Sequence, residues 1–188
     1  RFGSSLFPMN DMNVCFGEAL ILAVHSCPAW PRDKDLPNVP TQADKLKKVF
    51  QDLGLNVTRP QQEELTHEGV KLCVADLCRH ASDKLKTIKE DALFVAVAVL
   101  SHGHLSDSFS ELPAMVCYDS LGVLDASNDA DLDGILLSGF NGIKVPVGKR
   151  LKVWLILDCC QSNEHLSTWR GPAANLEMKL QRITFGPP

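Results

Sequence analysis

An aspartate, two adjacent thiols and a distant imidazole are the side chains with which this chain could do covalent chemistry: Asp158, Cys159, Cys160 and His102. A thiolate attacks carbonyl carbon readily, and an imidazole beside it can protonate the departing amine. A lone cysteine at a strand end is usually a small buried hydrophobe, so the context has to carry the case. Val153, Trp154, Leu155, Ile156 and Leu157 run straight into the acid and the thiols, and Ala92 to Leu100 run straight into Ser101, His102 and Gly103. Neither run alternates, which is the pattern of a strand buried on both faces. If both are strands of one parallel sheet, the thiols and the imidazole emerge at the same carboxyl edge, where open α/β sheets build their sites.

The rest of the chain supplies the elements such a sheet needs. Glu18 to His25 reads as a first buried strand, followed by a loop with Pro28, Pro31, Pro37 and Pro40. Thr41 can cap a helix with Asp44 in the capping-box position. Ala43, Leu46, Phe50 and Leu53 then share one face, Gly54 closes the helix, and Leu55 to Thr58 is a short second strand. That β-α-β unit should cross over right-handed. Thr66 opens a second helix with an apolar stripe at Val70, Val74, Leu77, Ala81 and Leu85. Beyond the His102 strand come a polar loop at 105–110, a short strand at Ala114 to Tyr118, a turn-rich acidic stretch and a helix at Leu132 to Phe140. The segment 164–188, with Gly171-Pro172 and sparse apolar residues, reads as a linker or a docked tail.

The bounds of the whole chain agree with one globular domain. It has 188 residues, 45% hydrophobic and 22% charged, ordinary values for a single core. A net charge of −4 gives no reason to expect nucleic acid, and no apolar run reaches the roughly 20 residues of a membrane span. Seven cysteines, an odd count scattered through apolar contexts, point to a reducing, cytoplasmic compartment. Opening on Arg1 without a methionine, the sequence is read as lacking its natural start. Cys73, Cys78 and His80 do not make a zinc site, because C-x4-C on a helix puts the thiols on different faces. Asp129, Asp131, Asp133 and Gly134 copy the start of a calcium loop, but Phe140 stands where the bidentate acid is required; the stretch is read as a solvated acidic turn, and no cofactor or metal is expected.

Several stretches follow one another as in the large subunit of caspases: Leu6 to Leu22, Leu100-Ser101-His102-Gly103, Phe140-Asn141-Gly142, Gly148-Lys149 and the strand that ends in the cysteines. The chain resembles that superfamily over residues 5–163, and the family places its histidine roughly 50 residues before its cysteine. The cysteine segment departs from the caspase Gln-Ala-Cys-Arg-Gly and is similar to the Asp-x-Cys-His-Ser of metacaspases. The resemblance implies a caspase-like α/β three-layer sandwich, a mostly parallel central sheet with helices on both faces. It divides the chain into a large-subunit-type domain at 1–163 and the tail at 164–188.

By the same resemblance His102 is the general acid/base in preference to His104, and Gly103 offers an oxyanion-hole N–H. Cys160 is the nucleophile on the motif match, with Cys159 the alternative when counted from the upstream lysine. Leu36 stands where caspases hold the arginine that grips a substrate aspartate. Asp158 replaces the caspase glutamine and would line the pocket for a substrate side chain, while Gln42 stands where relatives carry a second acid. The implied activity is a cysteine endopeptidase of cell-death or stress signalling, acting on protein or peptide substrates. A small-subunit chain or a caspase-like partner would complete it. The alternative is a non-catalytic caspase-like scaffold or regulator that binds a protein partner, since nothing after Asn163 resembles the small-subunit strands.

Overall fold

The computed structural model describes residues 13–104, 112, 114–121, 127–159, 168–170 and 176–182. Its centre is a sheet built on β1 (Val14–Ala23), β2 (Asn56–Thr58), β3 (Ala92–Ser101) and β7 (Arg150–Cys159). β1 pairs parallel with β2 on one side and β3 on the other, and β3 pairs parallel with β7. Every residue of β3 is buried, as its unbroken apolar run requires of a central strand. At roughly 1.5–3 kcal/mol for each large aliphatic side chain removed from water, the buried side chains of β3 and β7 contribute substantially to the stability of the fold.

Two cores lie on the two faces of this sheet. Helix α2 (His67–Thr87) places Val70, Val74, Leu77, Ala81 and Leu85 against Leu20, Leu22, Leu93, Val95, Val97, Leu155 and Leu157. Helix α1 (Val39–Asp52) covers the other face, where Ala43 and Phe50 meet Ile21, Phe94, Ala96, Ala98, Trp154 and Ile156. The Phe50 and Trp154 rings pack edge to face with centroids 6.0 Å apart, a geometry that suits their quadrupoles. This is the expected α/β sandwich with helices on both faces.

Local details depart from the sequence reading in instructive ways. The first strand begins at Val14, not Glu18, because Val14, Cys15 and Phe16 pair with Ala92, Leu93 and Phe94 before the register slips by one residue. Gly17 sits at that irregularity: a Cβ there would lie 2.8 Å from Leu93 Cδ1 and 3.1 Å from Phe94 O, so the leucine side chain would have to shift and the backbone contact would be tight. Helix α1 starts at Val39 after Asn38, so Thr41 is inside it and caps nothing. Pro40 in the first turn explains the shift, since its fixed φ and missing N–H suit that position. The Thr66 cap is as expected, its Oγ1 accepting from Gly69 N at 3.0 Å.

A small antiparallel sheet, β4 (Gly103–His104), β5 (Ala114–Met115) and β6 (Ala130–Asp131), leans on the α2 side. It corrects the picture of a solvated acidic turn. Asp129 is 5% exposed, because the adjoining β6 draws it inward. A π-type turn at Asp133–Leu137 and the helical turn α3 (Ser138–Asn141) follow directly, so the stretch is short strand and helical turn where the sequence suggested an irregular one.

The segment read as linker or docked tail contributes strands. β9 (Leu176–Arg182) pairs parallel with β7, and β8 (Thr168–Arg170) pairs antiparallel with β9. The described strands of the sheet run in the order β2, β1, β3, β7, β9, β8. Leu176, Met178 and Leu180 alternate with Glu177, Lys179 and Gln181, a period-two pattern too short and too polar to stand out in sequence.

Candidate active site

The carboxyl ends of β1, β3 and β7 share one edge of the sheet, and the register fixes what meets there. Leu100 pairs with Asp158 and Ser101 with Cys159. Alternation along β7 sends Leu151, Val153, Leu155, Leu157 and Cys159 into the α2 core, and Trp154 and Ile156 into the α1 core. The Cys159 thiol is therefore buried, 3% exposed, on the α2 face. Asp158, one residue earlier, falls on the α1 face with Trp154 and Ile156. Half-buried there, its carboxyl is pushed up to about 6 by desolvation.

On β3 the same alternation holds. Ser101 is buried toward the α2 side, where its Oγ donates to Val116 O at 2.8 Å. His102 then meets the loop that joins β1 to α1. Its ring stacks on Trp30 with centroids 5.0 Å apart and planes 24° from parallel, and its Nε2 donates to Lys34 O at 2.5 Å. A carbonyl can only accept, so Nε2 carries the proton and Nδ1 is the acceptor of the neutral ring. Lys34 belongs to a tight turn, Arg32–Lys34, whose ends are held by Lys34 N to Pro31 O (2.9 Å) and Leu36 N to His25 O (2.7 Å). The carbonyl that orients the imidazole is thus itself fixed.

Of the other residues named from sequence, Gly103 opens β4 and pairs with Met115, and Leu36 packs against the α1 core. Gln42 is half-buried on the first turns of α1. Cys160 lies outside the described residues. Neither Trp30 nor Lys34 was singled out in sequence. Lys34 acts through its backbone, which no residue type announces, and Trp30 looks like any aromatic in a proline-rich loop. His102, Trp30 and Lys34 line only a small cavity of about 10 Å³ with His25 and Cys27, while a separate cleft of about 380 Å³, not lined by His102, opens between Ala23, His25, Pro40, Asp44, Arg59 and Gln62. Arg59 and Asp44 form an ion pair across its wall.

Three other thiols, Cys73, Cys78 and Cys117, are poor candidates for nucleophiles. Burial pushes Cys78 and Cys117 up to about 12 and raises Cys73 as well, so they stay protonated at neutral pH. Among the described residues no helix is long and apolar enough to cross a membrane. Compared with known proteins, the sequence matches the caspase domain family over residues 17–181, a span that begins within β1 and ends within β9. No curated protein matches the chain.

Proposed function

The chain belongs to the caspase domain family of peptidases, and from that premise we propose that it is a cysteine endopeptidase whose dyad is His102 and Cys160. The observation that carries this reading is the pairing of Ser101 with Cys159. These are the residues immediately before His102 and Cys160, and both turn to the α2 face. Cys159 is buried on the face away from His102, which argues against it as nucleophile. With Cys159 set aside, the motif match leaves Cys160 as the nucleophile.

In this mechanism the Cys160 thiolate adds to the scissile carbonyl, and the N–H groups of Gly103 and Cys160 receive the developing oxyanion. His102 passes its proton to the leaving amine as the C–N bond breaks, and water then cleaves the thioester. With Nε2 bound to Lys34 O, Nδ1 is the nitrogen that exchanges protons with the thiol and the amine. Asp158 lines the pocket for the residue before the cut. Above pH about 6 its carboxyl is ionised and favours lysine or arginine over aspartate, while Leu36 offers no cation to an acidic side chain. The substrates are proteins or peptides cut after basic or neutral residues, in cell-death or stress signalling.

The rival, a non-catalytic scaffold, drew its support from the lack of any resemblance to small-subunit strands after Asn163. β9 beside β7 weakens that support, because the segment does extend the sheet. Fluorogenic peptides matched except for the residue before the cut test the proposal, with Cys160→Ala as control. Cleavage after lysine or arginine that Cys160→Ala abolishes and Cys159→Ala spares is the expected result. Cleavage after aspartate would overturn the pocket assignment, and none by the intact chain would favour the scaffold.

A further inference from the structure

The loop 24–38 brings to His102 more than the Lys34 carbonyl. We infer that Trp30 is a positioning residue for the acid/base, its indole face setting the plane of the His102 imidazole. The inference rests on the reading of His102 just given and adds to it a side chain that neither the motifs nor the family match assigns. A single hydrogen bond from Nε2 to Lys34 O fixes one direction in the ring but leaves it free to swing about the N···O line. A face contact removes that freedom. The near-parallel stack at 5.0 Å is such a contact, and the two restraints together leave Nδ1 one direction in which to point.

The stack is itself anchored. Trp30 Nε1 donates to Ser120 Oγ at 3.2 Å, and Ser120 is buried. The Cys27 thiol donates to Ser120 O at 3.3 Å and Tyr118 O at 3.5 Å, while Trp30 N closes a turn onto Cys27 O at 3.0 Å. The same segment holds the other ring: Val116 N donates to His102 O at 3.0 Å, and Val116 O accepts from Ser101 Oγ. Indole and imidazole are both tied to residues 116–120, so their relative position is set by one strap and not by chance contact of a loop. Once His102 has taken a proton, the electron-rich indole face also receives the cation well.

The test uses the full chain with Trp30→Leu, which removes the ring, Trp30→Phe, which keeps a face without the donor, and Ser120→Ala, which frees the indole. In proton NMR the His102 ring C–H resonances should lie upfield from the indole ring current, return downfield in Trp30→Leu and stay upfield in Trp30→Phe. On peptide substrates Trp30→Leu should lower kcat about ten-fold with KM unchanged, and Trp30→Phe should recover most of it. Alkylation of Cys160 by iodoacetamide, which needs no cleavage, should slow in the same order, with Ser120→Ala intermediate. If the resonances ignore Trp30→Leu, the stack is absent and the inference fails. If they move while kcat and alkylation are unaffected, the stack exists but positions nothing, and the inference fails too. A wild type that cleaves nothing refutes the peptidase reading alone, since resonances and alkylation still decide the role of Trp30. Should Trp30→Leu not fold, Trp30→Phe and Ser120→Ala carry the same comparison.

Discussion

At the scale of single residues, Asp158 shows how one carboxyl can serve the site at a cost to the fold. An exposed aspartate titrates near 4, whereas burial beside the strand end raises this one to about 6. The folded state therefore prefers the neutral acid. That preference favours folding fully below about pH 4, and is lost as pH rises through about 6, above which the ionised group is a standing penalty. Asp158→Asn removes the titration. Thermal melts should find the variant more stable than wild type at pH 7.5, with the gap closing toward pH 4. A gap independent of pH would mean that Asp158 is better solvated than its position implies. Activity should move the other way: the variant loses its preference for basic over neutral residues, which measures the carboxylate's part in binding.

At the scale of elements, the start of α2 is the most demanding local joint. Thr66 supplies the cap, and Gly69 lies so close to the preceding turn that a Cβ would fall 1.8 Å from Glu64 O. Thr66→Ala should cost about 1 kcal/mol, the usual loss of a hydroxyl cap, measured by urea denaturation. Gly69→Ala should cost more than Thr66→Ala in the same measurement, because backbone must move to admit the methyl. Both act on the helix that covers the Cys159 face, so neither should alter which peptides are cut. Phe50 is the corresponding anchor for α1: fully buried against Trp154, it should cost about 3–5 kcal/mol on truncation to alanine.

At the scale of the whole molecule, the question is what guards the open side of β7. β9 pairs with it from Leu151 to Leu157 and β8 closes the outer side of β9. Ending the chain at residue 167 removes both and exposes a long apolar edge, the situation that promotes strand pairing between molecules. Light scattering and melting of that truncation should show association and a lower Tm. A monomer with unchanged Tm would mean that β8 and β9 add little to the sheet.

How much of this was legible in the sequence follows from how far each signal reaches along the chain. The runs before His102 and before Asp158 declared two central strands, because burial on both faces demands unbroken apolar side chains. The stripe on α2 and its Thr66 cap were equally plain, since helix periodicity and capping are local. The order of short motifs pointed to the family without any geometry. Other features needed the fold. Only the register of β3 on β7 puts Ser101 opposite Cys159 and so assigns Cys159 to the buried face, a difference of one residue that pattern cannot resolve. Only tertiary pairing reveals β9, whose few alternating residues gain their meaning from the edge they meet. The Lys34 carbonyl and the Trp30 ring reach His102 across a loop, through a backbone atom and a face contact that residue types and spacing do not encode.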